Sequence, residues 1–545
     1  MDSHFSYANA AHSAVPLAAH RVSLPSQAGT ADLVQLLPPH LTSLYAAPEL
    51  LLRSAPARCR VRPTAACESP ADYIALISRL LDLGMVELSA HAKVVNGLFG
   101  VPKDQDSLRL IIDARPANAA FIEPPHVDLP TPDLFAQLQS SDEPLYVAKV
   151  DLDNFYHRLR IPVWMQQYFA LPPVPAAAFG LPGGVVYPCC TTLPMGFSHS
   201  VFLAQQCHEH LLNSHTALQP ADRITAHSDL LVNRTRHAAY IDDCILIGTD
   251  PVHIRALQQQ YLHVVAHFGI PAKPSKVVPP TCTPVECLGF EFDGLSHTVG
   301  VSVSKLRHLI FTTEYLIARG FCTGLELAEL IGRWSWAILA KRPAFAAFNS
   351  VYRFIQKAGR RHFDLWPSVI RELHLIIGLA PLLYTRINSD WFRRCVATDA
   401  SQAGMGVVST SIPDSRAVAF AGLSAATADF ASLHSLPWAT IVSSPWRVAS
   451  NTGPEHINVL ELRAITTATR WVLSSPSSIG RRVLVFTDST VAALAISKGR
   501  SSSFQILRRL RYLSSLILAS GLQLFCRWLP SELNPADGPS RAFGW

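Results

Sequence analysis

The chain has 545 residues, which by length predicts three or four domains, and 49% of its residues are hydrophobic, enough for several sizeable cores. Its formal net charge of +6 is concentrated at the end, because from residue 390 onwards there are 15 basic and 9 acidic residues, an excess that favours polyanionic partners. The 11 cysteines show no C-x-x-C pair or zinc-finger spacing, and no apolar run reaches the length of a membrane span. These features argue against a disulfide-built secreted domain, a zinc finger and an integral membrane protein, and we expect a protein of the cytoplasm, the nucleus or both.

The first elements in chain order are an arm, a helix and a strand. Residues 1–65 are rich in Ala, Ser, Pro and His and carry few charges, which we interpret as a poorly ordered N-terminal arm. Ser69 followed by Pro70 is typical of a helix N-terminus, and apolar residues with helical spacing follow as far as Gly84. In residues 108–118, apolar and polar residues alternate enough to predict a strand that runs into a turn.

Two acidic motifs come next. Asp151 and Asp153 lie at the end of an apolar run, in the sequence KVDLDNFY. Asp242 and Asp243 lie between two apolar segments, in AAYIDDCILI, which predicts a β-hairpin with two adjacent carboxylates at its tight turn. Carboxylates at such a turn are costly unless a cation binds there, and Mg²⁺ binds through one or two carboxylates together with substrate phosphates. The alternative is a solvated acidic turn and an unrelated acidic strand end.

Four further segments surround these motifs. The sequence LPMGFS at 193–198 precedes a helical pattern, and 213–236 is a polar insertion. The sequence GIPAKPSK at 269–276 is a proline-rich loop with two lysines. Residues 303–385 have helical spacing with an apolar stripe, which first of all predicts a core.

The two acidic motifs together resemble the palm of reverse transcriptases. The resemblance implies that Asp151, Asp242 and Asp243 bind two Mg²⁺ or Mn²⁺ ions about 4 Å apart, which activate a primer 3′-hydroxyl and stabilise the leaving pyrophosphate. It also implies an RNA template, a DNA primer and deoxynucleoside triphosphates (dNTPs) as partners.

The resemblance extends to residues that would contact the incoming nucleotide. It implies that Lys103 and Arg109 bind the triphosphate, and the alternative is two surface cations on a hairpin. Tyr156 takes the position of an aromatic steric gate that selects deoxynucleotides by shape, with a core aromatic as the alternative. Phe155 departs from the family, which usually has a small residue before the gate.

Two more segments resemble parts of the same enzymes. Met195 and Gly196 belong to an LPxG segment that packs on the template and the nascent base pair, where Gly196 would permit close approach of the backbone. Lys276 resembles a lysine near the leaving pyrophosphate and would act as its general acid. A solvated lysine in a proline-rich loop is the alternative.

A second acidic constellation lies beyond residue 390. Asp399 follows a strand pattern, Glu461 lies in a helical run, Asp488 ends the apolar strand VLVFT, and Asp537 lies in NPADGPSR. This order resembles ribonuclease H, and it implies two metal ions that activate water and stabilise the leaving 3′-oxygen when the RNA of an RNA–DNA hybrid is cut. The chain departs from that family in having no His shortly before Asp537. It also has a long insert at 410–454, a length typical of functional or disordered loops.

Seven basic residues near this constellation add positive charge. They are Arg481, Arg482, Lys498, Arg500, Arg508, Arg509 and Arg511. The last three fall on a helix whose other face is apolar. Hybrid binding is the favoured interpretation, and a solvated helix face is the alternative.

These patterns predict a multidomain chain of the α+β and α/β classes, a right-hand polymerase followed by a ribonuclease H-like α/β domain. We expect an arm at 1–65, fingers and palm at 66–300, a helical thumb or linker at 301–389, and the ribonuclease H-like domain at 390–545. The sequences HINVLELRA and NPADGPSR are most similar to retrotransposons of the DIRS-like or Gypsy-like LTR type, which implies replication of the element. A decayed or domesticated element protein that binds nucleic acid without catalysis is the alternative. The sequence leaves the template, the primer and the oligomeric state open.

Overall fold

The N-terminal segment is folded rather than a loose arm. A computed structural model of the chain describes residues 14–57, 59–226, 228, 230–422, 430–446 and 455–543. Leu17, Leu33 and Tyr45 are fully buried in the same core as the strands and helices that follow. The expected poorly ordered arm is therefore wrong for 14–57, because its apolar side chains outweigh its loop-like composition; residues 1–13 lie outside the described part.

The segment that follows contains the predicted helix and hairpin. The helix Pro70–Asp82 begins at Ser69, whose side chain accepts a hydrogen bond from the Asp72 N–H at 3.0 Å. A hairpin follows, formed by the antiparallel strands Gly97–Pro102 and Leu108–Asp113. A separate antiparallel sheet has the strand order Val86–Ser89, Val185–Cys190 and Val174–Pro175.

The central sheet has four antiparallel strands. Their order across the sheet is Val278–Thr281, Tyr146–Asp151, Asp243–Gly248 and Arg236–Tyr240. Side chains alternate between two cores, with Val150 and Leu246 on one side and Val147 and Ile245 on the other. The helices Ser200–His215 and Pro251–His267 bury their apolar residues in the first of these cores.

A small sheet and a helical bundle come next. The sheet contains the antiparallel strands Val285–Cys287, Phe290–Asp293, Thr298–Gly300 and Tyr384–Arg386. The bundle contains the helices Val303–Arg319, Gly324–Ile338, Ser350–Ala358 and Pro367–Leu379. The apolar stripe predicted over 303–385 includes Leu327, Leu330, Ile331 and Trp334, which are buried in the core of the bundle, and Trp336, which is 38% exposed. Because the last strand returns to the small sheet, the expected boundary at 300 does not separate two independent units.

The C-terminal unit is a five-stranded mixed sheet. Its strand order is Ala439–Pro445, Gly404–Ser411, Arg394–Ala400, Arg482–Thr487 and Gln523–Trp528. The last three strands run parallel to one another and the first three are antiparallel. The helices Ile457–Leu473, Thr490–Lys498 and Phe504–Ser520 share one core with the sheet.

The insert at 410–454 is largely structured. Its described part forms the helices Asp414–Gly422 and Phe430–His434 and the edge strand Ala439–Pro445. Phe420 and Leu433 are buried in the core on the other face of the sheet. The remaining insert residues, 423–429 and 447–454, lie outside the described residues. No helix in the described ranges is long and apolar enough to cross a membrane.

Several of the C-terminal arginines hold the chain's own segments together. Arg482 is 2% exposed, and its Nη2 donates to the carbonyl oxygens of Leu138 at 2.7 Å and Ile387 at 2.6 Å. Arg511 pairs with Glu372 at 3.1 Å. The remaining contacts are ion pairs of Arg481 with Asp390 and of Arg509 with Glu455, and stacking of Arg500 on Phe345. The predicted hybrid-binding cluster is thus wrong for the buried Arg482, and hybrid binding by the other members stays a prediction.

We predict that Arg482→Met destabilises the fold, at about 1–3 kcal/mol for an unsatisfied buried group, because it removes the Arg482 donor from the carbonyl oxygen of Leu138 and leaves that of Ile387 with only the Ser140 N–H. Thermal unfolding followed by circular dichroism would show a lower melting temperature. Arg508→Met is the matched control, since Arg508 is exposed on the helix Phe504–Ser520 and is expected to tolerate the change. Equal melting temperatures for the two variants would contradict the role of Arg482.

Candidate active sites

The first candidate site lies where two strands of the central sheet end side by side. Asp151 is the last residue of its strand, and it lies directly opposite Asp243, the first residue of the neighbouring strand. Asp242 occupies the turn before Asp243, and its carbonyl oxygen accepts a hydrogen bond from the Leu152 N–H at 2.9 Å. The hairpin predicted from AAYIDDCILI is present, with Tyr240 paired to Asp243 across a two-residue turn. The fold therefore brings the three predicted carboxylates together.

Two lysines partly neutralise these carboxylates. Lys276 Nζ lies 2.6 Å from Asp151 Oδ2, and Lys149 Nζ lies 3.0 Å from Asp243 Oδ1. Asp242 has no such partner among the residues that the structure describes, and burial together with the charges of Asp243 and Asp151 raises its pKa to about 6. Lys276 thus lies in the site, although its predicted role towards pyrophosphate stays a prediction.

The donor set of this site fits a hard divalent cation. Carboxylate oxygens are the ligands that Mg²⁺ prefers, and a cation would offset the repulsion that raises the pKa of Asp242. Burial also raises the pKa of Asp243, despite the neighbouring Lys149. A cation ligated by Asp151 would have to displace Lys276 from that carboxylate.

The turn that carries Asp242 has a strained residue. Ile241 has a φ of +55°, a left-handed value that is rare for β-branched residues and costs about 1–3 kcal/mol. Side chains of the helix Ser200–His215 bind both of its backbone polar groups. The Ile241 N–H donates to Gln205 Oε1 at 2.7 Å, and the Ile241 carbonyl oxygen lies 2.8 Å from His208 Nδ1. Our sequence analysis missed the role of both residues, because several other polar side chains on this helix hid the two that are buried.

The predicted gate residue lies in a short helix whose first residue packs against His208. Tyr156 is half-buried in the short helix Phe155–Arg158. Phe155 is 1% exposed and packs edge-on against His208, with 6.0 Å between ring centroids. Phe155, which stands where reverse transcriptases usually have a small residue, is therefore a core residue that packs against the helix supporting the acidic turn.

The two predicted triphosphate ligands lie on the hairpin of 97–113. Lys103 is exposed, with its Nζ 2.8 Å from Ser23 Oγ, and Arg109 is exposed on the second strand. Both charges affect His157, the buried residue that follows Tyr156 in the chain. The pKa of His157 is lowered to about 4, mainly by burial and then by the charges of Lys103 and Arg109. The fold thus places Lys103 and Arg109 on the Tyr156 side of the molecule.

Gly196 is required by packing within the protein. Its φ is +130°, and a Cβ there would lie 2.0 Å from the carbonyl oxygen of Ile112. The neighbouring Met195 carbonyl oxygen accepts a hydrogen bond from the Ile112 N–H at 2.9 Å. We expected close backbone approach to a base pair, whereas the approach observed is to the strand Leu108–Asp113.

The second candidate site lies at the carboxyl ends of two parallel strands. Asp399 lies near the end of Arg394–Ala400, Asp488 directly follows Arg482–Thr487, and Glu461 lies in the second turn of Ile457–Leu473. Each of these acids offers a carboxylate oxygen that lies within 4.8 Å of those of the other two. In the described part of the chain, Asp151, Asp242 and Asp243 do not reach this spacing.

The electrostatics of the second site indicate a missing positive charge. Burial, followed by the charges of Asp399 and Asp488, raises the pKa of Glu461 to about 9. Burial is also the main cause that raises the pKa of Asp399 to about 6. Glu461 Oε2 is buried and has no hydrogen-bond partner among the described residues. Repelling carboxylates with an orphaned oxygen fit a divalent cation.

The fourth predicted acid, Asp537, is adjacent to the other three but not part of their cluster. It begins the short helix Asp537–Arg541, pairs with Arg541 at 2.7 Å, and is close enough to raise the pKa of Asp399. Ser540 of the same helix donates to Asp399 Oδ2. The start of this helix packs closely on the strand Gly404–Ser411. A Cβ at Gly406 of that strand would lie only 2.4 Å from the Ala536 carbonyl oxygen, so the packing requires glycine there.

No His from the chain segment just before Asp537 contacts this site, as the sequence already indicated. Ser531, in the loop before Asp537, donates to Asp488 Oδ2. A histidine does reach that loop from the insert, since His434 Nδ1 lies 3.0 Å from the Leu533 carbonyl oxygen. The sequence could not predict this contact, because it joins two segments about a hundred residues apart.

We predict that Glu461→Gln stabilises the metal-free protein at pH 8. Because the folded-state pKa of Glu461 is raised above its ordinary value of 4.5, its contribution to stability is full below about pH 4.5 and is lost as the pH rises towards about 9. Glutamine keeps the shape and cannot ionise. In the presence of a chelator, the melting temperature of the variant should therefore exceed that of the parent protein by more at pH 8 than at pH 5.

The matched control is Glu532→Gln, which removes an exposed carboxylate of the same unit. It should change the melting temperature little at either pH. A gain for Glu461→Gln that is equal at both pH values would show that the burial of Glu461 does not penalise its charged form.

Comparisons with known proteins find a similarity over the segment that contains the first site. Residues 101–292 match the family model of reverse transcriptase (RNA-dependent DNA polymerase). The chain is 26% identical over 261 residues to the Gag-Pro-Pol polyprotein of human T-cell leukemia virus 3 (strain 2026ND), a match that spans 48% of this chain and 16% of the polyprotein. The matched segment of the chain is therefore similar to reverse transcriptases, and it includes Asp151, Asp242 and Asp243.

Solved structures show a more distant similarity. A foamy viral protease–reverse transcriptase, in a form designated dRH bound to double-stranded DNA, aligns over 87% of this chain and 72% of its own length, with a TM-score of 0.49 and 15% identity. The foamy viral protease–reverse transcriptase bound to RNA/DNA hybrid aligns over 95% of this chain and 63% of its own length, with a TM-score of 0.47 and 13% identity.

Proposed function

We propose that this protein is an RNA-directed DNA polymerase that extends a DNA primer with dNTPs and replicates a retroelement. The observation that carries the proposal is the pairing of Asp151 with Asp243 across two strand ends, with Asp242 at the turn between them. This arrangement lies inside the segment that matches the reverse transcriptase family. Its template would be RNA, and it would act in the cytoplasm, the nucleus or both.

The three carboxylates would hold two divalent cations, Mg²⁺ or Mn²⁺. When bound, such cations supply activation of the primer 3′-hydroxyl and stabilisation of the pyrophosphate. Lys149 partly neutralises Asp243 and Lys276 partly neutralises Asp151, which leaves Asp242 as the ligand without a paired lysine among the described residues. Lys276 would give up its ion pair with Asp151 when that carboxylate binds a cation, and its ammonium group would then donate a proton to the leaving group.

The nucleotide would bind between the hairpin of 97–113 and the acidic turn. Lys103 and Arg109 would contact its triphosphate with fixed positive charge. Tyr156 would lie under the sugar and exclude a ribose 2′-hydroxyl by shape. Met195 and Gly196 would back the templating side through their contact with the strand Leu108–Asp113.

We further propose that the C-terminal unit cuts the RNA strand of RNA–DNA hybrids as a ribonuclease H. Asp399, Glu461 and Asp488 would hold two divalent cations, and Asp537 would join them after release from Arg541. The support is the orphaned, buried oxygen of Glu461 at the carboxyl ends of parallel strands. The DIRS-like or Gypsy-like origin of the element rests on sequence resemblance alone.

The polymerase proposal predicts primer extension on poly(rA)–oligo(dT) with Mg²⁺ or Mn²⁺. Asp242→Asn should abolish extension and leave hybrid cleavage, whereas Asp488→Asn should abolish cleavage and leave extension, because the two sites hold separate carboxylates. Gel electrophoresis of labelled primer and labelled RNA measures both activities. A folded protein that binds the hybrid without either activity would support the alternative, a decayed or domesticated protein that only binds nucleic acid.

The gate proposal predicts that Tyr156→Val increases incorporation of ribonucleotides relative to deoxynucleotides by roughly tenfold or more, because the ring no longer occupies the space of the 2′-hydroxyl. Single-nucleotide extension with dTTP and UTP measures the ratio. Tyr156→Phe is the matched control, since it keeps the ring and should keep the selectivity. An unchanged ratio in Tyr156→Val would show that Tyr156 is only a core aromatic.

A further inference from the structure

The acidic turn of the first site is held by side chains rather than by its own sequence. The two central residues of the turn are Ile241 and Asp242, and of these two Ile241 alone has a positive φ. In turns with a positive φ at the first central residue only, that residue is normally glycine. A β-branched residue there is unfavourable, so the conformation needs support from outside the hairpin. That support comes from three buried polar residues, Gln205, His208 and Tyr261, each 0% exposed.

Gln205 connects both sides of the turn. Its Oε1 accepts the Ile241 N–H at 2.7 Å, and its Nε2 donates to the Ala239 carbonyl oxygen at 2.9 Å. Its Nε2 also donates to Glu209 Oε1 at 2.5 Å. Because a carbonyl and a carboxylate can only accept, these bonds determine the orientation of the amide.

His208 supports the other polar group of Ile241. Its Nδ1–H donates to the Ile241 carbonyl oxygen at 2.8 Å, and its Nε2 accepts the Tyr261 O–H at 2.8 Å. The carbonyl requires a proton on Nδ1, and the hydroxyl of Tyr261 satisfies the nitrogen that remains. Tyr261 comes from the second helix, Pro251–His267, and stacks on the imidazole. These hydrogen bonds therefore connect the helix Pro251–His267, through the imidazole of His208 on the helix Ser200–His215, to the turn.

We propose that Gln205, His208 and Tyr261 are positioning residues that hold Ile241 in its strained conformation, so that Asp242 and Asp243 present their carboxylates beside Asp151. The inference rests on the proposed function and deepens it, because it says how this chain sets the affinity of that site for a divalent cation. Loss of the Tyr261 hydroxyl leaves the buried Nε2 of His208 without its donor and removes the bond that fixes the imidazole ring, which weakens the support of Ile241.

The test measures Mn²⁺ binding to the full chain through the electron paramagnetic resonance signal of free Mn²⁺. The chain carries Asp488→Asn, a substitution that weakens Mn²⁺ binding at the second site. In that background, Tyr261→Phe should weaken Mn²⁺ binding roughly fivefold, the effect of about one lost hydrogen bond. The half-saturating Mg²⁺ concentration for primer extension should rise in parallel, while the KM for dTTP at saturating Mg²⁺ stays the same. A merely structural role would lower the melting temperature without changing Mn²⁺ affinity.

The matched control is a second bond chain of the same kind. The Tyr45 O–H donates to His199 Nδ1 at 2.7 Å, and His199 Nε2 lies 2.9 Å from the Ile122 carbonyl oxygen. Tyr45→Phe therefore removes an equivalent buried hydroxyl that does not contact the acidic turn. We expect it to lower the melting temperature about as much as Tyr261→Phe and to leave Mn²⁺ affinity unchanged.

A double-mutant cycle tests the strain directly. Ile241→Gly permits the positive φ without support, so adding Tyr261→Phe to it should change Mn²⁺ affinity less than about twofold. An unchanged affinity in Tyr261→Phe alone, or an equal loss with and without Ile241→Gly, would overturn the inference. If Asp151→Asn does not weaken Mn²⁺ binding in the parent, the proposed function fails instead, which separates the two failures.

Discussion

The structure depends on holding carboxylates of like charge close together and partly out of water. Burial and mutual repulsion both penalise the ionised forms, which is why the pKa of Asp242 rises to about 6 and that of Glu461 to about 9. The two sites respond differently to this cost. Lys276 and Lys149 pair with carboxylates at the first site, whereas Glu461 keeps an oxygen without a hydrogen-bond partner among the described residues. The second site therefore has the stronger electrostatic demand for a cation.

One segment, 193–215, connects the parts of the first site. At its start, Gly196 lies against the carbonyl oxygen of Ile112 on the hairpin that carries Arg109. Further along its helix, Gln205 and His208 bind the backbone of Ile241. The segment thus contacts both the hairpin that would bind the triphosphate and the turn that would bind the cation. A change in its packing would alter the relative positions of these two groups.

The two candidate sites are part of one packed molecule. Arg482 extends from the C-terminal sheet to the carbonyl oxygens of Leu138 and Ile387, and Trp391 Nε1 donates to Gln139 Oε1 at 3.1 Å. A buried arginine that donates to backbone carbonyls needs its partners in place, since an unpaired buried charge is strongly destabilising. These contacts join the C-terminal unit to the region of the central sheet and restrain the position of one site relative to the other.

The sequence by itself determined the elements that depend on local patterns. The alternation around YIDD predicted the hairpin, Ser69 and Pro70 predicted the helix Pro70–Asp82, and the order of Asp399, Glu461 and Asp488 on strand, helix and strand indicated their shared site. These predictions succeeded because periodicity and capping act within a few residues of the chain.

Only the tertiary structure decided which partners the long-range polar groups find. It buried the N-terminal segment, directed Arg482 and Arg511 to internal contacts, and placed Asp537 beside Arg541 instead of in the cluster. It also revealed that His208 and Tyr261 support the acidic turn. Such contacts join residues separated by tens or hundreds of positions, and a side chain's charge or hydrogen-bonding capacity does not say which distant group will satisfy it.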